Sequence, residues 1–135
     1  MKDENLSKRT RDVFRGLFWT LWNKTPVQTD NPREFIRAFQ DRRVALTKIE
    51  FPGNEILWVS TVFLGVDLNH FGVGPPILFE SMIFGGPMDQ EMNRYCTWDE
   101  AEKGHLEMVN AVVSKMKLIN CWSGKIKITE EKEMP

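Results

Sequence analysis

Apolar residues recur at Val13, Phe14, Leu17, Phe18, Leu21 and Trp22, in steps of three and four. That spacing predicts a helix over residues 6–22, with Lys8, Arg9, Arg11, Asp12 and Arg15 on its polar side. Residues 23–29 form a connector containing Pro26. Asn31, Pro32 and Glu34 then give a cap, a first-turn proline and an acidic third position, which together open a short helix over residues 32–41. Its apolar side holds Phe35, Ile36 and Phe39.

Beyond residue 43 the period shortens to two. Residues 44–51 read as a strand, Pro52-Gly53-Asn54 as a tight turn, and residues 56–66 as a returning antiparallel strand. In the second strand Trp58, Ser60, Val62 and Leu64 point one way, and Val59, Thr61 and Phe63 the other. Both sets are fairly apolar, which predicts a central strand covered on both faces. Residues 77–84 form a third strand, closed by Gly85-Gly86-Pro87, and residues 94–96 are extended enough to pair briefly. Thr97 and Glu100 stand at capping-box spacing. The helix they open, over residues 98–116, lines up Trp98, Ala101, His105, Met108, Val109, Val112 and Met116 on one stripe. Residues 118–128 hold a last strand, interrupted at Ser123-Gly124.

The expected class is therefore α+β: an antiparallel sheet of three to five strands, with two N-terminal helices and one long C-terminal helix packed on it. At 135 residues the chain is expected to be a single globular domain spanning 1–135, with residues 1–5 and 130–135 disordered. A single sheet of this kind leaves an apolar face or edge, so a homo-oligomer is expected to cover it.

Composition narrows the setting. Hydrophobic residues make up 41% of the chain, enough for a core, yet no apolar run approaches the ~20 residues of a membrane span. The charged start carries no signal-peptide pattern, and Cys96 and Cys121 are too few for a disulfide scaffold, so a cytoplasmic protein with reduced thiols is expected. The net charge is −1, unevenly divided: residues 1–50 carry 11 basic and 7 acidic side chains, and the remainder 7 and 12. The basic half falls short of a nucleic-acid footprint.

Polar chemistry concentrates after the central strand. Asp67, Asn69 and His70 share a loop with Gly72 and Gly74, whose backbone N–H groups suit an anion. The alternative is a strand connection whose polar side chains cap turns. Glu80 lies within an apolar strand, so it is either a ligand contact or the partner of an arginine such as Arg94. His105 sits on the apolar stripe of the last helix, which favours a packed imidazole bonded to a backbone carbonyl over a ligand. A metal held by Asp67, His70, Glu80 and His105 lacks the one-turn spacing of a recognisable site, and neither metal nor cofactor is assigned. Cys96 precedes a helix N-terminus, where the dipole would lower a thiol pKa and a nucleophile pair with His105 is conceivable, but no nucleophile motif surrounds it, so a structural thiol is expected. Trp19 and Trp22 do not both fit inside, so one is expected at the surface. Beside Arg15, an exposed tryptophan would stack on a base or bury in a partner.

The segments Val59-Ser-Thr-Val-Phe-Leu-Gly-Val-Asp67, Pro75-Pro-Ile-Leu-Phe-Glu-Ser-Met-Ile-Phe84 and Arg94-Tyr-Cys-Thr-Trp-Asp-Glu-Ala-Glu-Lys-Gly-His105 occur in this order. Together they resemble a group of short phage and prophage proteins with no assigned activity. The likeness spans three elements and leaves out the first 45 residues and the last 20. It implies a phage context, and so a host cytoplasm, without naming a catalytic residue. The loop after Asp67 departs from that pattern: it reads Leu-Asn-His, where the group places a histidine nearer the aspartate.

Three functions fit these residues. The leading one is an accessory protein that binds without catalysis, its target a host protein or a small anionic, nucleotide-like molecule. Its ligand-facing candidates are Asp67, Asn69, His70, Glu80, Arg94, His105, Trp19 and Arg15. The second is a metal- or carboxylate-dependent hydrolase built on Asp67, His70, Glu80 and His105. The third is a weak nucleic-acid binder using the N-terminal basic and aromatic residues. No convincing catalytic set is present, which tilts the balance away from an enzyme.

Overall fold

The computed structural model describes residues 18–69, 73–120 and 124–134. Strand β1 (Trp19–Trp22) and strand β2 (Thr25–Gln28) form an antiparallel hairpin, and helix α1 (Pro32–Gln40) follows. Strands β3 (Arg43–Phe51), β4 (Glu55–Phe63), β5 (Phe79–Phe84) and β6 (Met92–Tyr95) make an antiparallel meander. Helix α2 (Trp98–Asn120) then crosses the sheet, and strand β7 (Lys127–Glu130) returns beside β3. The spatial order of the five-stranded sheet is β6-β5-β4-β3-β7. The architecture is α+β, with a long C-terminal helix on an antiparallel sheet.

The helix starts follow from local chemistry. The Asn31 side chain accepts from the Arg33 N–H, and Pro32 occupies the first turn. The hydroxyl of Thr97 accepts from the Glu100 N–H and donates to the Glu100 carboxylate. The turn between β3 and β4 takes positive φ at Gly53 and Asn54.

The N-terminal half differs from the helix-pair expectation. Residues 19–22 are a strand, and residues 1–17, which carry the rest of that periodic run, lie outside the described residues. Phe18, Leu21 and Trp22 satisfy a helical stripe, but Trp19 and Leu21 also share one face of a strand, and pairing with residues 25–28 decides. Asn23 and Lys24 both have positive φ, as the tight turn of a two-residue hairpin requires. At the other end, residues 118–120 continue α2, and the last strand begins only at Lys127. Glu130, expected in a disordered tail, pairs with Thr47, and the Glu131 N–H donates to the Leu46 carbonyl.

β4 is central, as its two apolar faces suggest. Among the described elements α2 is the one that packs across the sheet, so Val59, Thr61 and Phe63 are fully buried. Trp58 and Val62 on the opposite face are half-buried. The core divides in two. One cluster joins Ile49, Leu57, Val59 and Ile83 to Met108, Val112 and Met116 of α2. The other joins Phe63, Phe79 and Ala101 to Ala38 of α1, with Trp19, Leu21, Tyr95 and Trp98 packed around it. Gly104 lets α2 rest on the Tyr95 ring, because a Cβ there would overlap the ring atoms. Among the described residues no helix is long and apolar enough to cross a membrane.

Candidate functional site

Between the two apolar clusters lies a polar seam. Thr47 on β3, Thr61 on β4 and Ser81 on β5 all point toward α2, and His105 projects down onto them. Its Nε2 is 2.7 Å from Thr47 Oγ1, and its Nδ1 is 2.7 Å from Thr61 Oγ1. Thr61 is hydrogen-bonded in turn to Ser81. A neutral imidazole completes this chain in either direction: one ring nitrogen accepts from a threonine hydroxyl and the other donates. His105 is 2% exposed, and burial, with Arg43 nearby adding repulsion, pushes its pKa down to about 4. The partners are threonine hydroxyls, whereas the sequence pattern suggested a backbone carbonyl. The signal was there to find: one hydroxyl residue sits at an inward, period-two position of each of three strands.

The seam opens beside a cleft of about 620 Å³. Its floor is the part of β3 that runs past the end of β7, from Arg43 to Leu46. One wall is the first half of α2, with Glu102, His105 and the 61%-exposed Leu106. The other wall is the chain leaving β7, with Glu130, Glu131 and Lys132, while Asp41 stands at the end. Four carboxylates thus face two basic groups, Arg43 and Lys132. Arg43 also donates from Nη1 to the Ser60 hydroxyl. No local motif joins residues from three distant segments, so nothing along the chain announces this cleft.

Of the ligand-facing candidates that fall among the described residues, His105 alone lines it. Asp67 Oδ1 accepts from the N–H groups of Asn69 (2.7 Å) and Ile77 (2.9 Å). Asn69 Nδ2 donates to the carbonyls of Val73 and Pro75. These side chains hold their own loop closed, as the turn-capping alternative required. His70 and Gly72 lie outside the described residues, as does Arg15. Glu80 Oε2 is 3.1 Å from Arg94 Nε, an ion pair at the edge of the sheet. Glu80 also pairs with Val62 across β4, and its neighbour Ser81 points to the seam, so Glu80 and His105 project from opposite faces of the sheet. Glu80 and His105 of the foreseen hydrolase set are therefore not brought together.

Trp19 is turned inward against the second cluster, with Nε1 buried and unpartnered, and Trp22 is the outward one at 78% exposure. The surface position foreseen for one of the two tryptophans thus falls to Trp22, while Trp19 is half-buried against the cluster. Cys96 lacks the lowered pKa of a reactive thiol. Burial pushes its thiol pKa up, and the carboxylates of Glu100 and Asp67 add to the rise. Among the described residues no group of three or more His, Cys, Asp or Glu side chains is placed to hold a metal ion. No family model, curated protein or solved structure matches the chain.

Proposed function

We propose that this is a phage-type accessory protein that binds a partner protein through the cleft beside His105 and performs no chemistry on it. The observation that carries the reading is the state of the titratable groups. His105 is neutral, buried and bonded at both nitrogens, Asp67 staples a loop, and Glu80 is paired with Arg94. A general base works within hydrogen-bond reach of a substrate proton in a shared site; His105 has both ring nitrogens engaged, and Glu80 projects from the opposite face of the sheet.

The cleft itself is open and of a size that suits recognition. Its surplus of acids favours a basic segment over a nucleotide-like anion. The exposed Leu106 adds an apolar contact, and the uncovered run of β3 suits an extended chain laid along it. The test is an amide-resolved NMR titration with an extended lysine-rich peptide, and separately with a nucleoside triphosphate. The reading expects the peptide to shift residues 41–46, 102–106 and 130–132 and the nucleotide to leave them unmoved. Shifts confined to other surfaces, or the reverse preference, would overturn it.

A further inference from the structure

We infer that two copies of this chain pair along the outer edge of β7, in antiparallel register centred on Ile128, so that their sheets join into one. The outer edge of β7 alone carries this inference, apart from the reading of the cleft. β7 is the last strand of the sheet, with β3 on one side. The Glu131 N–H donates to Leu46, opposite which it lies in the extended register, and backbone groups alternate along a strand. Those of Lys127 and Thr129 therefore face β3 as well, and those of Ile126, Ile128 and Glu130 face outward. Among the described residues no strand pairs with this outer edge, and an edge of this kind is a template for another strand.

The side chains favour a second copy as the occupant. Read from residue 125 to 131, the sequence is Lys-Ile-Lys-Ile-Thr-Glu-Glu, basic at one end and acidic at the other. Antiparallel pairing about a two-fold axis sets the basic end against the acidic end twice. With Ile128 on the axis, residues 126, 128 and 130 face the partner's 130, 128 and 126, and all their outward N–H and C=O groups can be matched. The same register sets Ile128, which is 52% exposed, against the partner's Ile128. It also places Lys125 across from the partner's Glu131. Because Glu131 lines the cleft, the partner's Lys125 would complete that rim.

Sedimentation equilibrium and native mass spectrometry of the full chain test this. The expected result is a dimer that Ile128→Lys converts to monomer. Lys125→Glu or Glu131→Lys alone should each weaken it by about tenfold, since two opposite-charge contacts become like-charge ones. The double variant Lys125→Glu/Glu131→Lys should regain the wild-type constant. A chain that stays monomeric at every concentration would overturn the inference. So would a dimer unmoved by Ile128→Lys, or one in which the charge swap fails to rescue.

Discussion

Lowering the pH should act on the seam before it acts on the rest of the core. His105 is ordinarily half-protonated near 6.5, but in the fold its pKa is about 4. Above pH 6.5 folded and unfolded chains both carry it neutral, so it adds no pH dependence. As pH falls from 6.5 toward 4, the unfolded chain takes up a proton that the folded chain refuses, and stability is lost. The full displacement corresponds to about 3 kcal/mol, of which about 2.5 is lost by pH 4.5. Urea unfolding of wild type and His105→Gln at pH 7 and pH 4.5 isolates this contribution, because carboxylate titration is common to both chains. The wild type should lose about 2.5 kcal/mol more than the variant between the two values. Glutamine loses part of the threonine bonding, so the variant should start lower, by about 1–3 kcal/mol, at pH 7. Parallel pH profiles for the two chains would refute a buried neutral imidazole. So would a wild-type His105 ring that titrates above pH 6 by NMR.

Other substitutions probe the structural roles assigned above. Gly104→Ala should destabilise by roughly 2 kcal/mol or more, since its Cβ meets the Tyr95 ring, and Tyr95→Leu in the same chain should recover much of the loss in thermal unfolding. Asp67→Ala should cost about 1–2 kcal/mol by stranding two N–H groups, and Asp67→Asn, which keeps an oxygen, less than half of that. Glu80→Gln or Arg94→Ala should change urea stability by less than about 1 kcal/mol, as befits an ion pair at a solvent-facing edge.

Much of the sheet and both described helices can be read from pattern and capping chemistry alone. The capping box at Thr97 marks the start of α2 to the residue, and the Pro52-Gly53-Asn54 turn fixes the pairing of β3 with β4. Residues 19–22 defeat the pattern because Trp19, Leu21 and Trp22 meet helical and strand periods at once, and the deciding partner lies on the other side of a two-residue turn. That turn holds Lys24, not glycine, at a positive-φ position, so the usual hairpin signal is absent. The candidate site was less visible. Attention to exposed-looking polar residues leads to Asp67 and Glu80, whose bonds are local or solvent-facing. The seam instead uses single hydroxyls hidden among apolar neighbours. The cleft arises only when α2, the free end of β3 and the exit of β7 meet in space.

Binding at that cleft is the claim on which the functional account turns. Its most direct test is the affinity of an extended lysine-rich peptide for the wild type and for Glu102→Gln/Glu130→Gln, measured by calorimetry at low and moderate salt. Glutamine at 102 keeps an oxygen for the Trp98 indole N–H, so the wall of the cleft should stand while its charge is lost. The account expects the double variant to bind about tenfold or more weakly and to lose most of the salt dependence. Equal affinity in the two chains, or no binding by the wild type, would contradict it.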